Sequence, residues 1–248
     1  MKKIIIIILA VVACVSAFKI FQITSEYRAG ETSYDTLKQY VIEPSTDNDS
    51  SHQAEQPDTT PVQPIIDFDE LSVINGDVVA WIRLDDSEID YPVVRGENND
   101  YYLNHLFNHQ YNSSGCIFLD YRNHVDFSDK NSVIYGHHMK NGSMFAGITK
   151  YKNQAFYDEH PVFHLYTPQA NYEIEIFAGY VADVRDNAWD VDFIDEADFS
   201  GWIDEQIQKS MFHSDVTPSA KDKIVTLSTC SYEFDNAKFV IFGVLRNS

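Results

Sequence analysis

The stretch "IVTLSTCSYEFDNAKFVIFGVL", residues 224–245, contains two apolar runs separated by a polar segment. Both runs are rich in β-branched and aromatic residues, and the polar residues between them are typical of a loop, so the stretch predicts a β-hairpin. Side chains alternate along a strand, so Val225 and Leu227 face one side while Cys230 faces the other. If Val225 and Leu227 fill a core, Cys230 lies at the strand end, where a thiol can meet a substrate.

The same pattern of short apolar runs predicts eight strands in total. They cover residues 79–84, 89–94, 116–120, 132–136, 162–166, 172–181, 224–230 and 238–245. A short amphipathic helix, "IIDFDELSVIN", precedes them, and one clear helix, residues 198–212 with Asp198 as its N-cap, interrupts them. Many short strands with irregular loops and one inserted helix are typical of a closed barrel rather than of βαβ units, so we predict a mainly β (α+β) fold.

The amino terminus carries an apolar segment after a short basic lead. Lys2 and Lys3 precede the unbroken apolar run of residues 4–18, which resumes after Lys19. As a helix up to residue 21, this segment reaches ~27 Å, close to the thickness of the hydrocarbon layer, if the Lys19 side chain extends to the interface. The basic lead orients the amino end inside, so we predict a membrane anchor over residues 1–21 and an extracellular body.

Two alternatives to an uncleaved anchor stay open. A cleaved signal peptide would require a small-x-small site, and none is well placed. The segment "VVAC" ending at Cys14 resembles a lipobox, which would make Cys14 a lipid-carrying amino terminus. In each case the body of the protein lies outside the membrane.

Two parts follow the anchor before the barrel begins. Residues 22–42 have helical character, and residues 43–64 hold four prolines and almost no apolar side chain, which is typical of a solvated linker. We therefore predict a helical stalk and disordered linker over residues 22–64 and a catalytic domain over residues 65–248. This domain is expected to be folded, soluble and monomeric on its own.

The charge balance narrows the range of partners. The chain has a net charge of −20 at pH 7, which argues against nucleic acid because that ligand requires clusters of Lys and Arg. An acidic surface attracts cationic groups such as amines, although it is also common in proteins that are simply soluble.

Only two cysteines, Cys116 and Cys230, lie outside the anchor. Cys116 is part of "GCIFLD", an apolar run in which a small buried side chain is expected. A disulfide bridge between the two cysteines stays an alternative, because the sequence alone does not exclude it. A thiol outside a disulfide needs a partner to become a nucleophile, and imidazole is the usual one.

Among the nine histidines, His137 has the most informative context. In "IYGHHM", residues 134–139, it follows a predicted strand and a glycine, so the barrel fixes its backbone and its ring emerges at a strand end. His137 and His138 cannot share one direction on an extended backbone, so at most one faces a given site. The remaining His, Asp and Glu residues are scattered, so we predict neither a metal site nor a cofactor.

Two segments, "TLSTC" (226–230) and "IYGHHM" (134–139), resemble the signature segments of sortases, the cysteine transpeptidases of Gram-positive cell surfaces. The Ser at the third position of "TLSTC", the inserted helix and the acidic loop "SYEFDNA" make class B the closest match. The resemblance covers about residues 65–248. It implies a closed eight-stranded sortase-type β-barrel with N-terminal helices and one inserted helix before the cysteine-bearing strand.

The resemblance also implies roles for individual residues. Cys230 matches the nucleophile, and His137 matches the catalytic acid/base. The positions that match the substrate groove are Ser228, Tyr135, Asn99 and Leu103.

The activity that the resemblance implies takes place outside the cell membrane. In the family, a surface protein with a carboxy-terminal sorting signal is cut after its Thr, which leaves a thioacyl enzyme. An amine of peptidoglycan or of its lipid-linked precursor then resolves that enzyme and gives an amide. Class B members commonly take signals of the N-P-Q-T-N kind, and no metal is needed for either step.

The sequence departs from the family at Lys238, where the family carries an arginine at the start of the strand after the cysteine loop. Arg246 lies eight residues further, ~26 Å along an extended strand, so it cannot reach Cys230 from there. If Cys230 pairs opposite Lys238 in the hairpin, their Cβ atoms are ~5 Å apart. The lysine can then favour the thiolate and stabilise an oxyanion, which adds Lys238 to the predicted catalytic residues.

Two other functions stay open. The lysine at position 238 is also compatible with a sortase-fold module that binds its ligand but is catalytically weak or silent. A cysteine peptidase that hydrolyses the same signal is the enzyme alternative. A papain-like peptidase fits less well, because its cysteine lies on a helix whereas Cys230 ends a predicted strand.

Overall fold

A computed structural model describes residues 2–44 and 63–248 of the chain. Its helices are α1 (Lys2–Leu37), α2 (Phe68–Ile74), α3 (Gln154–Glu159) and α4 (Glu196–Lys209). Its strands are β1 (Val41–Ile42), β2 (Ile65–Ile66), β3 (Val78–Arg83), β4 (Asp90–Val94), β5 (Ile117–Leu119), β6 (Asn131–Tyr135), β7 (Val162–Tyr166), β8 (Asn171–Asp183), β9 (Ile224–Cys230) and β10 (Ala237–Asn247). Short 3₁₀ segments cover Lys38–Tyr40, Tyr101–Leu103, Phe145–Lys152 and Asn187–Trp189.

Eight strands close into one barrel in the order β10-β8-β7-β3-β4-β5-β6-β9. The pairs β4–β5 and β6–β9 are parallel, and the other pairs are antiparallel. The eight predicted strands and the closed barrel are therefore confirmed. The two-residue pair β1–β2 was not predicted, because it is too short to show a periodic pattern.

The hairpin of β9 and β10 has the predicted register. Cys230 pairs with Lys238 across the two antiparallel strands. Val225 and Leu227 are fully buried in the main hydrophobic core, as alternation along the strand requires. The same alternation places Cys230 on the other face, where it is only half-buried.

The inserted helix is α4, which begins two residues before the predicted start. Its N-cap is Asp195 rather than the predicted Asp198, because the Asp195 side chain accepts hydrogen bonds from the backbone N–H groups of Ala197 and Asp198. The apolar face of α4, which includes Trp202, packs against the outside of β8 and β10 and forms a second, smaller core.

The amino-terminal helix α1 runs without a break through the predicted anchor and into the predicted stalk. Its carboxy-terminal half contacts the barrel, because Tyr34 and Leu37 are buried in the main core and Asn112 Nδ2 donates to the carbonyl of Glu26 at 2.9 Å. This half of the helix is therefore not a free stalk. The domain boundary at residue 65 stays a prediction, and most of the predicted linker lies outside the described residues.

Candidate active site

Three strands bring their ends together at one rim of the barrel. Strand β6 pairs in parallel with β9, with Tyr135 opposite Ser228. Continuing both chains by two residues places His137 beside Cys230 at the same rim. Because β10 pairs on the other side of β9 with Lys238 opposite Cys230, the cysteine lies between the histidine and the lysine.

The thiol of Cys230 contacts the ammonium group of Lys238 directly. Lys238 Nζ donates to Cys230 Sγ at 3.1 Å, and both side chains are half-buried. Arg246, the nearest arginine along the strand, pairs instead with Glu175 and Asp222. Lysine is therefore the cation that faces this thiol.

The ring of His137 is held by a backbone carbonyl. His137 Nε2 lies 2.6 Å from the carbonyl oxygen of Leu103. A side chain on the preceding residue, Gly136, would collide with Ile117 and Phe145, so only glycine allows the chain to pass here. The glycine in "IYGHHM" therefore lets the histidine leave the barrel at this point.

The second histidine of the motif, His138, contacts other groups than His137 does. His138 Nδ1 lies 3.0 Å from the carbonyl oxygen of Cys230, and its ring packs against Tyr232. The two neighbouring rings therefore point apart, and His138 contacts the backbone of the cysteine rather than the cavity.

These strand ends line a cavity of about 330 Å³. All seven residues that the sequence singled out lie along it: Asn99, Leu103, Tyr135, His137, Ser228, Cys230 and Lys238. The cavity is also lined by Phe118, Val184 and Trp189, which belong to neither of the two sequence motifs. Most of its wall is apolar side chain with a few polar groups, the usual composition of a site for an extended organic ligand.

Trp189 connects the cavity to the loop between β8 and α4. Its indole Nε1 donates to Ser228 Oγ at 3.1 Å, which leaves the hydroxyl hydrogen of Ser228 free to donate elsewhere. This contact could not be predicted from a local pattern, because the two residues are 39 positions apart.

A buried carboxylate, Asp120, lies behind one wall of the cavity. It accepts hydrogen bonds from Asn99, Tyr135 and Arg122. Burial opposes ionisation of Asp120, but these hydrogen bonds prevail and hold its pKa below the ordinary value of 3.8. Burial and the neighbouring carboxylate raise the pKa of Tyr135, so its hydroxyl keeps its hydrogen and donates it to Asp120.

The other cysteine of the barrel is far less accessible. Cys116 is fully buried, and the hydroxyl of Tyr34 lies 3.2 Å from its sulfur. Both cysteines are free thiols, so the disulfide alternative is not realised in the structure. Within residues 2–44 and 63–248, no group of three or more His, Cys, Asp or Glu side chains is arranged to hold a metal ion.

Comparison with known proteins links this geometry to one family. The sequence model of the sortase domain matches residues 82–246. Sortase B of Listeria monocytogenes is 42% identical over 178 residues, which cover 71% of this chain and 72% of that protein.

Solved structures agree with the sequence match. A Staphylococcus aureus sortase B–substrate complex superposes with a TM-score of 0.70 at 33% identity, over 73% of this chain and 84% of that one. Sortase B from Bacillus anthracis in complex with AAEK1 superposes with a TM-score of 0.76 at 29% identity, over 91% of this chain and all of that one.

Proposed function

The chain belongs to the sortase family as a sortase B-like cysteine transpeptidase, and we propose that it cuts a carboxy-terminal sorting signal of the N-P-Q-T-N kind after Thr. It then transfers the cut protein to an amine of peptidoglycan or of a lipid-linked precursor. The observation that carries this proposal is the contact of 3.1 Å between Cys230 Sγ and Lys238 Nζ, in a cavity shared with His137.

The first step is attack of the Cys230 thiolate on the Thr carbonyl carbon of the signal. A new S–C bond forms, and the carbonyl oxygen becomes an oxyanion. Lys238, opposite Cys230 in the hairpin, supplies positive charge both to the thiolate before attack and to the oxyanion after it. Collapse of this intermediate breaks the C–N bond and leaves a thioester on Cys230.

The leaving nitrogen requires a proton, and His137 is the group that we assign to supply it. A carbonyl only accepts hydrogen bonds, so the contact with Leu103 places a hydrogen on His137 Nε2. Proton exchange with the substrate is then left to Nδ1. Protonated Nδ1 gives its hydrogen to the leaving amide, and neutral Nδ1 takes one from the incoming amine as it attacks the thioester.

The helix α1 supports placement of the enzyme at the membrane. The described chain has one helix, within residues 3–40, that is long and apolar enough to cross a membrane. Its apolar side chains between Ile4 and Ile23 are about half to two-thirds exposed, so they need an apolar surrounding other than the barrel. We propose that they lie in lipid, with the barrel outside the cell, near both secreted substrates and lipid-linked amines.

A product assay with the full chain in lipid vesicles tests the proposal. The probes are a peptide containing N-P-Q-T-N and triglycine as the amine. We expect a new product in mass spectrometry that ends in Thr-Gly-Gly-Gly, and slower release of the Thr acid without triglycine. Release of the acid alone, whether triglycine or a peptidoglycan stem peptide is added, would support the peptidase alternative. No cleavage at all, with the peptide still bound, would support the binding module.

A further inference from the structure

Asp120 is fully buried just behind the cavity and does not line it. Its Oδ1 accepts from the backbone N–H and the Nε of Arg122, both at 2.9 Å. Its Oδ2 accepts from three side chains: Arg122 Nη2 at 2.8 Å, Tyr135 OH at 2.9 Å and Asn99 Nδ2 at 3.0 Å. Two of these donors, Asn99 and Tyr135, do line the cavity.

The contacts of Asn99 fix which way its side-chain amide points. Its Oδ1 accepts from the backbone N–H of Tyr121 at 3.0 Å, while its Nδ2 donates to Asp120. A flipped amide would place its oxygen against the carboxylate, which is repulsive because neither group has a hydrogen to donate. One N–H of Asn99 therefore stays available as a donor to a ligand in the cavity.

The hydrogen bond from Tyr135 to Asp120 leaves the hydroxyl of Tyr135 as an acceptor, whereas Asn99 is left as a donor. Its hydroxyl has one hydrogen, and that hydrogen is given to Asp120. Tyr135 is left with oxygen lone pairs, so it can accept a hydrogen bond from a ligand but cannot donate one. The acceptor and the Asn99 donor lie at most about 6 Å apart, because each is within 3.0 Å of the same Asp120 oxygen.

A donor and an acceptor that lie no more than about 6 Å apart can be bridged by a group that itself carries one acceptor and one donor on neighbouring atoms. A carboxamide side chain meets this requirement, with its oxygen toward Asn99 and its nitrogen toward Tyr135. A carboxylate of the same shape does not, since it has no hydrogen for Tyr135 and leaves that oxygen facing another acceptor.

We propose that Asp120 is a positioning residue that orients Asn99 and Tyr135 so that this wall selects a carboxamide side chain of the sorting signal over the matching acid. The proposal rests on the proposed function and refines its substrate class. Asp120 acts only through its two neighbours and does not touch the substrate. Arg122 links Asp120 to the loop between β8 and α4, because its Nη2 also donates to the backbone carbonyl of Trp189 at 3.1 Å.

Equilibrium binding of peptides to the full chain carrying Cys230→Ala tests this without requiring turnover. The probes are the N-P-Q-T-N peptide and two relatives in which the Gln, or the Asn before the Pro, is replaced by its acid. We expect one of the acids to bind on the order of 10-fold more weakly than the amide peptide, as loss of one hydrogen bond and one unfavourable contact implies. Adding Asp120→Asn should bring that ratio toward one, because Tyr135 becomes free to donate.

Two further variants keep the test decisive. Tyr135→Phe removes the acceptor without altering a buried charge, and it should also shrink the ratio if Asp120→Asn fails to fold. Asp126→Asn makes the same chemical change at an exposed site outside the cavity and should leave the ratio at its native value.

Hydrogen exchange of the Asn99 side-chain amide needs no peptide, so it tests the positioning role of Asp120 independently of the proposed function. In ¹⁵N-labelled protein, the Asn99 side-chain amide hydrogen that is donated to Asp120 should be protected from exchange relative to the hydrogen that faces the cavity, and Asp120→Asn should remove that protection. An unprotected Asn99 amide, or an amide-to-acid ratio that is unchanged in folded Asp120→Asn or Tyr135→Phe protein, would overturn the positioning role. If the Cys230→Ala chain shows this ratio but the native chain transfers no peptide to triglycine, the proposed function alone would be overturned.

Discussion

The two free thiols of the barrel have opposite surroundings. Cys116 is fully buried, and burial raises the pKa of its thiol to about 12, although the hydrogen bond from Tyr34 acts in the other direction. Cys230 is half-buried, ends a strand at the rim of a cavity and accepts a hydrogen bond from Lys238 at 3.1 Å. The same chemical group is thus kept neutral at one site and supplied with a cation at the other.

The difference shows that strand position decides the chemistry of a cysteine here. Cys116 immediately precedes β5 and packs among apolar side chains, so its sulfur behaves as a small hydrophobic group. Cys230 is the last residue of β9, on the face away from the core, where a substrate carbonyl has room to approach. We expect only the second environment to support nucleophilic attack.

Removing each thiol in turn gives the largest expected contrast. Cys230→Ala should lower the rate of signal-peptide cleavage by on the order of 10⁴-fold or more, because no nucleophile remains. Cys116→Ala should leave most of the activity, since it removes only a buried sulfur. Steady-state assays of the two variants check this, with folding verified by circular dichroism. Comparable losses from both substitutions would mean that the two sites are not distinct in function.

Alkylation measures the same contrast without a substrate. At pH 9, about one in 10³ Cys116 thiols would be ionised, because its pKa is about 12. We therefore expect iodoacetamide to modify Cys116 on the order of 10³-fold more slowly than a fully ionised thiol, and Cys230 to react first in the folded protein, as measured by peptide mapping. Equal rates in native protein would show that Cys116 is exposed, whereas equal rates in urea are expected.

The raised pKa of Cys116 also has a consequence for stability. Between the ordinary value of 9.0 and about 12, the unfolded chain releases this proton while the folded protein keeps it. The contribution of the protonated Cys116 thiol to the free energy of unfolding is therefore fully present below pH 9.0 and is lost as the pH rises toward 12. Urea unfolding at pH 8 and pH 11 measures this contribution. Between the two pH values, the free energy of unfolding should fall less for Cys116→Ala than for the native chain.

Lys238 is the next test, because it is the charge that distinguishes the two sites. Lys238→Ala should lower turnover on the order of 10²-fold, as loss of one oxyanion donor does. Lys238→Arg should keep the activity or raise it, since guanidinium offers a planar pair of donors at the same register position. Turnover of Lys238→Ala at the native rate would show that other donors hold the oxyanion.

Tyr34→Phe is expected to have the smallest effect, and it acts on the buried thiol. It removes the hydroxyl that donates to the carbonyl of Gly115 and contacts Cys116, so a buried acceptor loses its partner. We expect a loss of about 1–3 kcal/mol in the free energy of unfolding, with near-native activity. Thermal melts check this against Tyr111→Phe, an exposed position that should melt like the native chain. Equal melting of the two variants would mean that the hydrogen bond from the Tyr34 hydroxyl adds nothing to the stability of the folded protein.

The hairpin and its register could be predicted from the sequence because the period of two is clear in both runs. Alternation alone placed Cys230 away from the core, and the short polar loop left Lys238 as its partner. The signature resemblance supplied the remaining predicted residues, and the structure brings all of them to one cavity.

The supporting contacts could not be predicted in this way. Asp120 ends an apolar run, and nothing in its local sequence indicates burial. It is nevertheless fully buried, and its partners come from other segments, such as Asn99, which is 21 positions away. The helical character of residues 22–42 was visible in the sequence, but a helical pattern does not say what covers the face that contains Tyr34. Only tertiary packing shows that this face lies against Gly115 and Cys116.

Because Cys230 contacts the Lys238 ammonium group at the rim of the cavity, we expect Cys230, and not Cys116, to carry the acyl group during catalysis. Mass spectrometry of the full chain, mixed with excess N-P-Q-T-N peptide without an amine and quenched in acid, distinguishes the two cysteines. We predict a mass increase equal to the acyl part of the peptide ending in Thr, located by peptide mapping on Cys230 and discharged by added triglycine. Cleavage of the peptide with no adduct on Cys230, or with an adduct on Cys116, would show that Cys230 is not the acyl carrier.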